Sequence, residues 1–548
     1  MGYGDDGIIA EYRYKLDNRT LLRIVKALTF LVLIILLLVI FASSMAKSYV
    51  DTEHVTCAAG VLLTKGKMIY RDFACVSQMP YHPFLYAAVF KVLNTSYYLL
   101  VGRILTVVCD ILVVISIIGI FRRVFASFPI TGRLLGIAMA FVCVFNCHFD
   151  DTNGFALDHD FAILCILVSF WLLVSTDFQQ RPRYLRIGAM SALLTLATCL
   201  HFIVVFVPLL FLIILLIQRG ESGEQRLKTV LSFLIAPFII LILPAWTMLQ
   251  APRAFFINVF EMPILKIQFI HKTQLMMGMT LDDKLAQTLS YLTDPAGVYP
   301  FLIVVCLTVL IVLGRHKLEL WNLKNAVLAI LVPVILLIIA LCSPQLMYEN
   351  FAILIPFVII SFAYPLLYLR MLQTNGPPRL FNIASIIVIA CAFSQVVSQP
   401  LLLLRTSLIF RPRNWVPMKV HKIAEEVAQK TKEPKLIVTL APLYALESGC
   451  EIYPELSSGW DGCKIASMIS ASKRKITNTL DAETFKEMIV ERPPSGIVID
   501  IDPRFEDVSR VGLVLLRIAK TKWPEQEYDE SVWERKEYSP GLVAYFRR

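Results

Sequence analysis

Up to about residue 404 the chain alternates long apolar runs with short polar segments rich in cations. Runs at residues 24–44, 98–121, 133–149 and 159–176 approach or exceed what a helix needs to cross a bilayer, about 20 mostly apolar residues. Residues 184–217 are too long for one crossing at about 1.5 Å per residue, so the pattern predicts two short helices broken near His201. Runs at 229–248, 298–313, 325–342, 351–369 and 383–404 bring the expected number of spans to about eleven. Two intervening segments, 45–97 and 250–297, are too long for plain connections and are expected to fold as outer loops. Within the first, residues 54–65 and 83–93 look amphipathic, as interfacial helices do.

From Val416 charged residues become frequent and long apolar runs stop. Buried strands are expected at 436–441, 496–501 and 542–546, and helices at 418–432, 482–492 and 505–522. The predicted architecture is an α-helical polytopic membrane protein. A short cytoplasmic segment, 1–23, precedes a membrane domain at 24–404. A linker at 405–417 then leads to an extracytoplasmic α/β domain at 418–548.

Charge fixes the expected orientation. Arg13, Lys15, Arg19 and Arg23 precede the first span, which puts the N-terminus in the cytoplasm. Alternation then places Arg122, Arg123 and Arg133 inside, followed by Arg181, Arg183 and Arg186, then Arg219, Arg226 and Lys228, then Arg315, Lys317 and Lys324. Segments 150–158 and 343–349, on the other side, carry no Lys or Arg. An odd number of spans puts the C-terminal domain outside a plasma (inner) membrane. The net charge of +10 follows from this loop bias, so no nucleic-acid partner is expected. With 57% hydrophobic residues and a mean hydropathy of +0.67, the bulk numbers agree with lipid as the solvent. The first apolar core exceeds a signal peptide's usual 7–15 residues, so it reads as a retained anchor. Four of the 12 cysteines fall on the outer side: Cys57, Cys75, Cys450 and Cys463. Pairs Cys450–Cys463 and Cys57–Cys75 are open alternatives to free thiols. Asn94-Thr95-Ser96 is a formal glycosylation sequon, and no zinc spacing, Walker loop or dinucleotide fingerprint occurs.

The first outer loop holds the most informative chemistry. Asp51-Thr52-Glu53 follows the first span directly, and carboxylates beside a membrane are costly to leave unpaired. A low-dielectric flank raises a carboxylate's pKa and suits it to general-base work. Capping a helix is the competing role, since Asp is a favoured N-cap residue. The loop continues through Gly66 to Tyr70-Arg71-Asp72-Phe73 and Pro80-Tyr81-His82-Pro83. A second acidic segment contains Asp150, Asp151 and the run Asp158-His159-Asp160, which enters the next span. Such a run can cap the helix, border an active site or bind a divalent cation through oxygen.

The order of basic segment, span, D-x-E, amphipathic stretch and G-x-x-x-Y-R-D-F resembles the GT-C membrane glycosyltransferases. Within them it is similar to glycosyltransferase family 39, the protein O-mannosyltransferase and aminoarabinose-transferase-like group. Tyr348-Glu349-Asn350-Phe351 with Pro356 resembles the opening of a late span in that group. The resemblance covers roughly residues 10–405. Thr52 stands between two acids that are adjacent in many relatives, and residues 74–78 lack the usual His or Lys. The resemblance implies a sugar donor on polyprenyl phosphate, used on the outer face, with a lipid, glycan or protein as acceptor. It points to Asp51, then Glu53, as base, and to Asp158 or Asp160 as a second acidic site. The leaving phosphate calls for cations, with Arg71, His271 and Lys272 as first choices and Tyr348 beside them. Lys65, Lys67, His82 and His201 are further outer-side candidates. Two other readings remain at this stage, a lipid or polysaccharide transporter or flippase and a non-catalytic membrane scaffold. Acids that cluster at the interface and not in mid-span favour an enzyme over a transporter.

Overall fold

The computed structural model describes residues 5–76, 79–176, 183–217, 223–272, 281–293, 302, 305–306, 309, 320–342, 348–374, 379–500, 533–539 and 541–548. The membrane domain opens with α1 (Asp5–Ala46), then two outer-loop helices, α2 (Asp51–Thr64) and α3 (Tyr81–Leu93). These two correspond to the amphipathic stretches read from the sequence. Next come α4 (Tyr98–Val124), α5 (Pro129–Val144), the short α6 (Cys147–Thr152) and α7 (His159–Ser175). The long apolar stretch is broken as expected: α8 (Arg183–Leu200) ends at His201, which is extended at φ −139°, ψ 109°, and α9 (Val207–Leu216) resumes after a single turn.

α10 (Gly223–Gln250) carries Pro237 and Pro244 internally. The second outer loop contains α11 (Pro252–Phe256), α12 (Met262–Lys272) and α13 (Leu281–Thr293). α14 (Leu320–Cys342), α15 (Tyr348–Ser361), α16 (Ala363–Thr374), α17 (Arg379–Ser398) and α18 (Pro400–Arg405) complete the bundle. Among the described residues six helices are long and apolar enough to cross a membrane, and four shorter apolar helices accompany them. The protein is therefore a multi-pass membrane protein. The span expected at 298–313 lies almost entirely outside the described residues.

The C-terminal part is an α/β unit. α19 (Val416–Lys430) leads into β1 (Leu436–Thr439), α20 (Leu443–Leu446), β2 (Glu451–Ile452), α21 (Gly459–Ala466), α22 (Ala471–Thr477), α23 (Ala482–Glu491) and β3 (Gly496–Asp500). β4 (Trp533–Ser539) and β5 (Leu542–Arg547) close it. The five-stranded sheet has the order β2-β1-β3-β5-β4. β1 runs parallel to both β2 and β3, and β5 runs antiparallel to β3 and β4. Three of these strands match the apolar runs in the sequence. β2 is two residues long, and in β4 charged Glu534, Arg535, Lys536 and Glu537 follow one another, so neither has an apolar signature. The helix expected at 505–522 lies outside the described residues.

This unit sits on the first outer loop. Ser457 and Ser458 hydroxyls donate to Ala74 O at 3.2 and 2.8 Å, and Asn478 Nδ2 donates to Arg71 O at 2.9 Å. Glu447 Oε1 accepts Leu99 N at 2.8 Å and so satisfies a backbone donor in the first turn of α4. His421 Nδ1 lies 3.0 Å from Glu447 Oε2 and stacks on Tyr97 at 3.8 Å. Ion pairs Lys266–Asp461 at 2.6 Å and Lys473–Glu261 tie the second outer loop to the same unit.

Candidate functional site

The chain leaves α1 through an extended Val50 at φ −121°, ψ 151° and starts α2 at Asp51. Glu53 is therefore in the first turn, where its Oε2 accepts Val50 N at 3.2 Å. Its main partner comes from inside a predicted span. Arg103 on α4 is fully buried and grips Glu53 with two bonds, Nε to Oε1 at 2.9 Å and Nη2 to Oε2 at 2.7 Å. Arg103 Nη1 also donates to Ser44 O at 2.7 Å and Lys47 O at 2.9 Å. Glu53 Oε1 further accepts Ala156 N at 2.7 Å. One buried ion pair thus joins α1, α2, α4 and the loop before α7. Gly102 permits this approach: a Cβ there would stand 2.9 Å from Ala156 Cβ. Asp51, two residues away, stands exposed in the first turn of α2.

The second acidic segment folds against the same junction. Gly154 has φ +81°, and a Cβ there would meet Ser44 at 3.0 Å, so the loop turns tightly onto the end of α1. Ser44 Oγ donates to Gly154 O at 2.5 Å. Asp150 accepts Ser43 Oγ at 2.5 Å, pairs with Arg405 Nη1 at 2.9 Å and has Lys47 at 3.4 Å. Burial alone would raise its pKa, but Lys47, Ser43 and Arg405 together bring it below the usual carboxylate range. Asp158, just ahead of α7, is pushed up to about 6 by burial, against the lowering influence of His159. Asp160 is buried, with Gly154 N at 3.4 Å and His159 Nε2 at 3.0 Å. Asp110 on α4 is buried as well and accepts Asn153 Nδ2 at 2.9 Å. Beside it Ser43, Lys47, Asp150 and Asn153 line a cavity of about 20 Å³, room for one water.

The Asp158-His159-Asp160 run shows no assembled cation site among the described residues. Asp160 already faces a backbone N–H and an imidazole, and among the described residues no three His, Cys, Asp or Glu side chains converge on a cation position.

The cations proposed for a phosphate distribute unevenly. Arg71 is bidentate with its neighbour Asp72, at 2.9 and 2.8 Å, on the exposed surface. Asp72 is correspondingly held below its ordinary pKa by that contact. Lys65 Nζ reaches Cys450 O at 3.5 Å. His271 and Lys272 end α12 and Tyr348 begins α15, but their side chains lie outside the described residues. His82 is buried on α3 against Tyr86 and Phe161, with ring centroids at 4.3 and 5.2 Å. Neither of its ring nitrogens has a hydrogen-bond partner among the described residues, nor has the adjacent Tyr81 hydroxyl. Burial, with a further push from His159, takes the His82 pKa down to about 3, so the ring is neutral and keeps one N–H to donate.

All four outer cysteines are free thiols, and neither pairing considered from the sequence is made. Cys57 is packed on α2 near Gly102, Cys75 N donates to Asn258 Oδ1 at 3.3 Å, and Ser448 Oγ donates to Cys450 Sγ at 3.6 Å. Burial pushes the Cys75 thiol up to about 12, which keeps it protonated.

Arg103 and Asp110 were not among the residues expected to matter. The signal was present, since both interrupt an apolar run, and ionisable residues inside a span call for a partner. Nor were His421 and Glu447, which no local pattern marks.

No protein-family model matches the sequence, and no curated protein matches it significantly. Solved structures do match. The crystal structure of ArnT from Cupriavidus metallidurans bound to undecaprenyl phosphate is similar over 95% of this chain and 98% of that one, with a TM-score of 0.60 and 12% identity. Its apo form covers the same shares with a TM-score of 0.57 and 13% identity. The apo oligosaccharyltransferase of Archaeoglobus fulgidus gives 0.49 and 9% identity, over 95% of this chain and 74% of that one. This chain shares the fold of the two ArnT structures, with a helical bundle followed by a small sheet-containing unit.

Proposed function

We propose that the protein transfers a sugar from a polyprenyl-phosphate donor to an acceptor hydroxyl on the outer face of the membrane. One observation carries the reading. A buried Glu53–Arg103 pair anchors the start of α2, with Asp51 exposed at its first turn beside the end of a membrane span. In the proposed reaction the acceptor oxygen forms a bond to the anomeric carbon as its proton passes to Asp51. The bond from that carbon to the phosphate oxygen breaks, and polyprenyl phosphate leaves with the electron pair. A single displacement inverts the anomeric centre. Glu53, held by Arg103 and by Ala156 N, acts as an anchor in this scheme and not as the base.

The leaving phosphate needs donors. Arg71 is committed to Asp72, whereas the neutral His82 and the Tyr81 hydroxyl have unmet hydrogen-bonding capacity. They support a phosphate contact at the start of α3. The occupied neighbour of similar fold holds undecaprenyl phosphate, which agrees with a lipid-linked donor. The test is native mass spectrometry of the full-length protein with added polyprenyl phosphate. Retention of the lipid by the native protein, weakened by His82→Phe and unchanged by Arg71→Ala, is the expected result. No lipid retention, or loss with Arg71→Ala alone, contradicts this placement of the donor.

A further inference from the structure

Helix α13 carries its leucines on the side a water-exposed helix would keep polar. Leu281, Leu285 and Leu289 recur every four residues and are 63%, 47% and 63% exposed. The residues turned toward the protein are polar: Thr288 is buried and Lys284 half-buried. Lys284 Nζ donates to Leu341 O at 3.1 Å, in the last turn of α14. An ammonium there complements the negative end of the helix dipole. The contact also fixes the depth of α13, level with the end of an apolar spanning helix that the loop charges assign to the outer face. At about 100° per residue, Asp283 and Ser290 stand opposite the leucine stripe. The helix thus has one edge on the protein, a polar edge at Asp283 and Ser290, and an exposed leucine edge bordered by Asp282 beside Leu289.

We propose that α13 is an interfacial helix whose leucine face is seated in the outer leaflet, at the boundary of headgroups and acyl chains. Lipid is the occupant because the stripe continues a lipid-facing surface. Ile338 on α14, one turn before the carbonyl that Lys284 holds, is 53% exposed. α13 contains Asp282 and Asp283 against a single lysine, and that lysine is engaged with α14. Its seating therefore rests on apolar burial and not on attraction to anionic headgroups. So placed, α13 pins the second outer loop to the membrane surface. The proposal rests on the outer placement of the end of α14, not on the transfer chemistry, so its failure leaves that chemistry untouched.

The test uses the full-length protein in lipid nanodiscs, with a nitroxide amino acid introduced separately in place of Leu285, Leu289 and Asp283. Relaxation by oxygen, which concentrates in lipid, is compared with relaxation by a water-soluble nickel chelate. Oxygen is expected to act several-fold more strongly than the chelate at positions 285 and 289, with the reverse at 283. Adding anionic lipid should leave the pattern unchanged. Chelate-dominated relaxation at both leucine positions would place the face in water and overturn the proposal. Protection from both agents would place it under protein, the C-terminal unit or a second copy of the chain, and overturn it equally. A pattern that appears only with anionic lipid would refute seating by apolar burial. Two independent leucine positions, each checked for the native elution profile, separate the result from a local misfold.

Discussion

Asp158, raised by burial and to a lesser degree by Asp160 against the opposing pull of His159, sets up a testable pH dependence. Its folded pKa is raised to about 6 from an ordinary value of 3.8, so folding favours the protonated acid. The stabilising contribution is fully present below about pH 4 and is lost as pH rises through about 6. Asp158→Asn mimics the protonated form. It should raise the melting temperature at pH 7–8 and make little difference near pH 4. The ceiling is about 3 kcal/mol, from roughly two pH units at about 1.36 kcal/mol each. Melts of both proteins in one detergent across that range check it. At this same scale the sequence was informative but incomplete. It ranked Asp51 ahead of Glu53, two residues apart, without showing what holds either. What distinguishes them is Arg103, 50 positions beyond Glu53, and only the folded chain brings the two together.

At the scale of elements, the Glu53–Arg103 pair is the joint between α1, α2, α4 and the loop ahead of α7. Removing one partner of a buried pair leaves an uncompensated charge, at a cost of about 3–5 kcal/mol. Arg103→Met should destabilise the protein by that order, and the double variant Glu53→Gln, Arg103→Met should recover much of the loss. Thermal unfolding of the two variants measures this. No recovery in the double variant would mean that the hydrogen bonds to Ser44, Lys47 and Ala156, and not the charge pairing, hold the joint. Element boundaries were legible where length or apolarity forced them. The break at His201 followed from a run too long for one span, and β1, β3 and β5 from their apolar stretches. The interruption between α15 and α16 at Phe362 falls inside an apolar run and was missed, although Pro365, which has no N–H to give the Ser361 carbonyl, marks it.

At the scale of the whole molecule, the α/β unit rests on the first outer loop and the start of α4, through Glu447, Ser457, Ser458 and Asn478. A unit so placed must lie on the same side of the membrane as Asp51, which the loop charges put outside. Protease added to the outer face of intact cells or spheroplasts should therefore remove the 416–548 region. Protection of that region would reverse the orientation and take the proposed site to the cytoplasmic face.

Asp51 is the proposed base in transfer from a polyprenyl-phosphate sugar, and this role can be tested by turnover. The most direct measurement incubates the purified protein with lipid extract and acceptor-bearing membrane from its own host. Conversion of polyprenyl-phosphate sugar to polyprenyl phosphate is then followed by mass spectrometry, which detects the freed lipid whatever the sugar. The native protein should drive the conversion. Asp51→Asn should slow it by about 10²–10⁴-fold, the range general-base catalysis supplies, while still binding the lipid. Near-native conversion by Asp51→Asn, or no conversion by the native protein, would contradict the account.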